Sequence, residues 1–323
     1  MTRFGFSDDQ RLFQSTVREM LQKECTPQLV REMWTSETGR SPELWSALAD
    51  MGVVGLLVPA KHGGLGMGFR DLILLLEESG RVALPAPLVE TAAVAVPALL
   101  DSDLGARWLP RIAAGDAVVT VGFGAEPLVP DAHGADLLLL ERDGELHAVE
   151  RAGVTIEPHR AVDGARRLFS VEWSGGTAIG PSQPAFDRAA LGAAAQLIGL
   201  ARHLLDTTVA YAADREQFGV PIGSFQAVKH HLANALKDIE FARPLVYRAA
   251  ATLDPVHVSM AKAAASDAAS LAARTALQVH GAIGYTFEYD LQLWMKRVWA
   301  LAAVWGDAGW HRRRVGDHLL GSR

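Results

Sequence analysis

The sequence predicts a mostly α-helical protein with one small β domain at its centre, and three changes of rhythm carry that reading. From Ser7 to about Ala114 apolar residues recur at helical spacing. From Val118 to roughly Ile179 short runs rich in Val, Leu and Phe alternate with turn residues. From Pro184 onward the pattern is helical again and rich in alanine. The expected organisation is an N-terminal helical domain at 1–117, a shortened β domain at 118–181 and a C-terminal four-helix bundle at 182–323.

The first zone opens on Ser7-Asp8-Asp9-Gln10, a capping box, followed by Leu12, Phe13, Val17, Met20 and Leu21. Ser41-Pro42-Glu43 starts another helix with proline at its first position. Gly63-Gly64-Leu65-Gly66-Met67-Gly68 cannot continue a helix and reads as a loop. In the β zone the expected strands are Val118 to Phe123, Leu137 to Glu141, Leu146 to Glu150 and Leu168 to Trp173, with Arg142-Asp143-Gly144-Glu145 as a hairpin turn. In the last zone Leu191, Ala195, Ile198 and Leu205 mark one apolar helix face. Val228, Leu232, Ala235 and Leu236 mark another, and Ser259 to His280 forms a third helix. Its small side chains permit close helix–helix approach.

At 323 residues the chain can bury a sizeable core. A net charge of −6 and no basic stripe argue against nucleic acid as a partner. The short run His311-Arg312-Arg313-Arg314 reads as the solvated, dipole-matched end of a helix. A single cysteine, Cys25, leaves no intrachain disulfide and no cysteine-based metal cluster, which fits a reducing cytoplasm. The N-terminus has no apolar signal core, and the longest apolar stretch, Thr91 to Leu100, is too short to span a bilayer. No metal site and no membrane insertion are expected.

The most informative stretch is Tyr211-Ala-Ala-Asp-Arg215-Glu-Gln-Phe218-Gly219-Val-Pro-Ile-Gly223-Ser224-Phe225-Gln226. Helical spacing puts Tyr211, Arg215 and Phe218 on one face near a helix C-terminus, with Gly219 and Pro221 ending the helix and the next beginning near Ser224. A guanidinium suits paired phosphate oxygens, and a ring can lie against a base or sugar. Taken alone, the same residues read equally well as a surface arginine before an ordinary helix turn. The second stretch is Gln278-Val-His280-Gly281-Ala282-Ile283-Gly284-Tyr285, whose glycines let backbone amides approach a ligand, or simply end a helix.

Together these stretches resemble the acyl-CoA dehydrogenase family. Its C-terminal domain carries arginine-x-glutamine-phenylalanine-glycine, then phenylalanine-glutamine, then glutamine-x-x-glycine-glycine-x-glycine-tyrosine. Leu48-Ala-Asp-Met-Gly52-Val-Val-Gly55-Leu-Leu-Val-Pro59, Gly63 to Gly66 and Glu77-Glu78-Ser79-Gly80-Arg81 carry the likeness in the N-terminal zone. The resemblance runs over the whole chain and is weakest in the β zone. It implies that Arg215, Phe218 and Gln226 reach across a dimer interface to a partner's flavin adenine dinucleotide (FAD). It also implies that Gln278, Gly281 and Gly284 serve the adenosine end of the same cofactor. Ala282 replaces the family's second glycine.

The resemblance also marks what is missing. The family's base is a glutamate in glutamate-glycine-threonine, and gapless counting from Tyr285 reaches Trp305-Gly306-Asp307 instead. Tryptophan cannot accept a proton from carbon at neutral pH. The threonine and glutamine that hold the same chain's flavin fall at Asp307 and His311 or nearby. Some members carry the base on the first long C-terminal helix, just before an arginine, where this chain has Asp187-Arg188. Asp187 there is also a favourable helix N-terminal charge. Where the family has threonine-glutamate-proline and then glycine-serine-aspartate, this chain reads Gly124-Ala125-Glu126-Pro127-Leu128-Val129-Pro130-Asp131. The hydroxyls that hold isoalloxazine and thioester are absent.

These losses fall on what a chain needs for its own flavin, and the retained residues on what helps a partner's. The resemblance therefore implies the degenerate subunit of a heterotetrameric acyl-CoA dehydrogenase. Its expected partners are a full-length subunit, an acyl-CoA substrate such as a steroid side-chain thioester, and electron-transfer flavoprotein. Two other readings stay open: a self-sufficient homomeric dehydrogenase with Asp187 as base, and a non-catalytic scaffold with vestigial flavin motifs.

Overall fold

The computed structural model describes residues 5–321. Helix α1 (Asp8–Glu24) begins with a closed capping box: the Ser7 hydroxyl accepts from the Gln10 amide at 3.2 Å, and the Gln10 side chain accepts from the Ser7 amide at 2.8 Å. Helix α2 (Pro27–Thr35) starts on a Thr26 cap with proline at its first position, a signal present in the sequence but not read there. Helix α3 (Pro42–Asp50) follows the Ser41 cap, and α4 (Phe69–Arg81) follows the glycine loop. A π-helical segment, Val89–Ala95, runs into the short α5 (Val96–Leu99), and α6 (Gly105–Ala113) ends the first helical layer.

The β module begins at β1 (Val119–Gly122) and contains β2 (Val129–Pro130), β3 (Leu137–Arg142), β4 (Glu145–Glu150), β5 (Val154–His159), β6 (Leu168–Trp173) and β7 (Thr177–Pro181). It forms two sheets, ordered β1-β3-β4-β7 and β2-β6-β5. The hairpin at Asp143-Gly144 joins β3 to β4, with both residues at positive φ. Strands β2, β5 and β7 escaped the sequence reading for local reasons. β2 is two residues long, β5 contains Pro158, and β7 contains Gly180 at φ 121°. The Thr91 hydroxyl ties the π-helical segment to the module, donating to the Val119 carbonyl at 2.8 Å and accepting from the Val119 amide at 3.2 Å.

The bundle consists of α7 (Gln183–Asp214), α8 (Gln226–Thr252), α9 (Pro255–His280), α10 (Leu291–Ala303) and α11 (Ala308–Leu320). Leu191, Ala195, Ile198 and Leu205 are all buried on α7, whereas Leu236 on α8 stays 40% exposed. Helix α4 packs against α7 backbone to backbone. A Cβ on Gly199 would stand 1.9 Å from the Glu77 carbonyl oxygen, and one on Gly80 2.1 Å from that of Gln196. Beside this contact, buried Glu77 accepts from the Tyr247 hydroxyl at 2.6 Å, and buried Glu78 accepts from Arg18 and Gln14. N-terminal helices and bundle thus share one core.

One expectation fails here. His311 to Arg314 belong to the first half of α11, not to its C-terminal end, where the dipole would favour them. His311 is fully buried, while Arg312 pairs with Asp267 and Arg314 with Asp187. Arg312 and Arg313 remain exposed to solvent, while Arg314 is drawn into a pairing with α7 that a dipole argument cannot foresee.

Candidate functional site

The two motif stretches meet at one end of the bundle. Tyr211 in the last turn of α7 stacks on His280, the last residue of α9, with ring centroids 4.2 Å apart and planes at 22°. His280 is fixed through Nδ1, which bonds the Ala276 carbonyl at 2.8 Å, and Tyr289 flanks it on another side. The stack brings the neighbourhood of Arg215 beside Gly281–Tyr285, a 3-10 turn.

The local geometry differs from the helical face expected for the first motif. Helix α7 ends at Asp214, and Arg215 is its cap, donating its amide to the Tyr211 carbonyl at 2.8 Å. Phe218 then lies at the tip of a miniature hairpin formed by β8 (Glu216–Gln217) and β9 (Val220–Pro221), at φ 56° and 94% exposed. The hairpin costs the chain a left-handed non-glycine residue, which favours a constraint on that ring. Gln226 starts α8 one residue after Phe225, whose ring stands edge-on to Phe218 at 6.2 Å. Arg215, Gln226 and Gln278 are all exposed. Gly281, at φ 63° and ψ −137°, occupies a region that side chains avoid, and a Cβ there would meet nothing within 4 Å. Gly284 has a packing role instead, because its Cβ would press on His280 and Leu277 at 3.1 and 3.2 Å. Ala282 is exposed and its methyl crowds no part of this chain.

Sequence reasoning did not single out the apolar rim of this end. Tyr285, the last residue of the second motif, is 74% exposed, and Phe287, two residues on, is 68% exposed. The exposed Phe218–Phe225 pair, in the same stretch as the exposed Arg215 and Gln226, forms a surface suited to a flat, phosphate-bearing ligand and a covering protein.

The second place is the groove between β module and bundle. Trp305, at the position where the resemblance puts a base, is only 2% exposed and sits at φ 53°. Its amide donates to the Glu126 carboxylate, and its carbonyl bonds His311 Nε2 at 2.9 Å. Burial pushes His311 down to about 4, so it is neutral at physiological pH. Asp307 caps α11 by accepting from the Trp310 amide at 2.7 Å. Glu126 lies between two clefts. One, of about 560 Å³, is lined by Phe123, Phe186, Trp310 and Arg313; the other, of about 460 Å³, by Leu128, Val162, Trp299 and Val304.

Asp187 lines neither cleft. It is buried in α7, and both its oxygens are taken by Arg314, with Nη2 to Oδ2 at 3.1 Å. Gln183 adds a third contact at 3.3 Å. Arg188 turns back on its own helix, donating to the Pro184 carbonyl at 3.3 Å, and burial lowers its pKa. Among the described residues no group of three or more His, Cys, Asp or Glu could hold a metal ion, and no helix is long and apolar enough to cross a membrane.

Comparison with known proteins accounts for this arrangement of helices, β module and bundle. Residues 7–116 match the acyl-CoA dehydrogenase N-terminal domain, and residues 181–320 match the acyl-CoA dehydrogenase C-terminal domain. Acyl-CoA dehydrogenase IpdE2 of Mycolicibacterium smegmatis is 36% identical over 96% of this chain and 98% of its own. The protein of the same name from Mycobacterium tuberculosis is 34% identical over 90% of this chain and 91% of its own. Among solved structures, the Tcur3481–Tcur3483 steroid ACAD superposes with a TM-score of 0.88 at 25% identity, covering 97% of this chain and 98% of that one. The ChsE4–ChsE5 complex from Mycobacterium tuberculosis shares the fold with a TM-score of 0.91 at 24% identity, each chain covered in full. With both terminal domains matched and relatives aligned over nearly their whole length, the chain belongs to the acyl-CoA dehydrogenase family.

Proposed function

We propose that this chain is the degenerate subunit of a heteromeric acyl-CoA dehydrogenase, completing from outside the FAD site of a full-length partner. The carrying observation is the contrast between its two candidate places. At the bundle end, Arg215, Phe218, Gln226 and Gln278 are exposed, and the backbone at Gly281 is open. In the inter-domain groove the position of the family's base holds a buried Trp305, and outside it Asp187 is paired with Arg314.

The bundle end fits the cofactor. A guanidinium can form two parallel hydrogen bonds to pyrophosphate, a ring can cover an adenine or ribose, and an unobstructed glycine backbone can approach closely. The chain's own groove does not fit it, because Ala125 offers no hydroxyl and Glu126 is committed to the Trp305 amide. Bound FAD supplies hydride acceptance during α,β-desaturation of an acyl-CoA thioester. On this reading Arg215 neutralises phosphate, Phe218 and Phe225 exclude water from the cofactor's edge, and Gln226 and Gln278 orient it by hydrogen bonds. The partner supplies the base and the acyl pocket. The likeness to the Tcur3481–Tcur3483 steroid ACAD supports a steroid side-chain thioester and a heterotetramer here. Electron-transfer flavoprotein is the proposed acceptor.

The test is turnover by the purified chain alone, assayed with acyl-CoA thioesters and an artificial electron acceptor. No oxidation is expected without a full-length subunit. Steady turnover by the isolated chain would overturn the proposal.

A further inference from the structure

The turn between α10 and α11 is held by charged groups from two sides. Trp305 places a bulky side chain in the left-handed region at φ 53°, and Gly306 follows at φ 84°. Lys262 on α9 is fully buried. Its ammonium donates to the Ala302 carbonyl at 3.2 Å, the Gly306 carbonyl at 3.1 Å and the Ser266 hydroxyl at 3.3 Å. All three donors are thereby used, yet none meets a carboxylate. On the other side of the turn the Trp305 amide donates to Glu126.

A buried ammonium is tolerated only with an opposite charge close by. Glu126 and Lys262 hold the same two-residue turn from its amide and carbonyl sides, and the carboxylate's charge works against the burial that lowers the Lys262 pKa. Glu126 in turn faces Arg166 and Lys262. It reaches the turn from the loop between β1 and β2, so the contact joins the β module to the bundle. We infer that the Trp305–Gly306 turn is a carboxylate-binding seat, made of the Trp305 backbone N–H on one side and braced by the Lys262 ammonium on the other, and that Glu126 occupies it as a latch between the two domains. Both clefts border Glu126, so removing its side chain opens the seat to small solutes. The inference rests on this chain's residues alone and is independent of which subunit holds flavin.

The experiment is chemical rescue. Glu126→Ala should lower the thermal midpoint by several degrees, about 3–8 °C. Sodium acetate should restore part of that loss relative to sodium chloride at equal ionic strength, and leave the unsubstituted protein unmoved. Adding Lys262→Met to Glu126→Ala should abolish the rescue. An unchanged midpoint in Glu126→Ala, equal acetate effects in both proteins, or rescue that survives Lys262→Met would each overturn the seat.

Should Glu126→Ala fail to fold, the isosteric Glu126→Gln reports through Lys262. Burial pushes Lys262 down to about 7, so the native state binds fewer protons than the unfolded state above that pH, and stability rises as pH increases. Without the carboxylate's charge that rise should begin at a lower pH, by about one unit or more. The same onset in both proteins would refute the coupling.

Discussion

Replacing Asp187 with Asn separates a structural carboxylate from a catalytic one. Both Asp187 oxygens are engaged by Arg314, whose side chain is 22% exposed, and the pair joins the start of α7 to α11. Removing one partner of a fully buried ion pair costs roughly 3–5 kcal/mol. Here the asparagine oxygen still accepts one hydrogen bond and water reaches part of Arg314, so the expected loss is about 1–2 kcal/mol. In a chain of this size that is a fall in thermal midpoint of about 1.5–3 °C. The functional assay is single-turnover bleaching of flavin by acyl-CoA substrate in the complex with a full-length subunit. Bleaching per bound flavin should change by less than about threefold, because no proton passes through Asp187. Loss of a general base costs ~10²–10⁴-fold. Bleaching slowed a hundredfold, with midpoint and flavin content unchanged, would refute the structural role and make Asp187 the base.

Three further outcomes follow from the same geometry. Arg215→Ala should weaken FAD retention in the complex about ten- to hundredfold, the worth of a charge-assisted phosphate contact of roughly 1.5–3 kcal/mol, as read by flavin release on dilution. Asp131 is pushed up to about 7, first by burial and then by the Glu90 carboxylate. Its folded pKa lies above the unfolded value, so it contributes stability at low pH that is lost as pH rises through about 7. Asp131→Asn, tolerated at φ 52°, should flatten that part of the denaturant-midpoint profile, and an unchanged profile would refute it. Gly199→Ala must drive α7 off the Glu77 carbonyl 1.9 Å away, and should destabilise the fold by about 3 kcal/mol or more in urea titration.

The fold was legible where local signals agree with the final packing. The Ser7 capping box, the Ser41-Pro42 helix start and the Asp143-Gly144 hairpin all stand as read. Strands β5 and β7 were not legible, because proline and glycine mask them and only pairing with β6 and β4 makes them strands. The candidate site divides in the same way. The resemblance supplied the motif residues, but not the hairpin that lifts Phe218 off the α7 face, since nothing in a helical period announces the break at Arg215. Pairings distant in sequence were invisible in principle. Asp187 with Arg314 and Glu126 with Trp305 exist only because the bundle folds α11 back against α7 and the β module.

The central claim, that this chain supports a partner's flavin and holds none in its own groove, is tested most directly by FAD stoichiometry. Flavin absorbance and total protein are measured on the chain purified alone and on its complex with a full-length acyl-CoA dehydrogenase subunit. The account predicts a colourless isolated chain, and a complex holding one FAD for each pair of chains. One FAD per chain in the protein purified alone would contradict it.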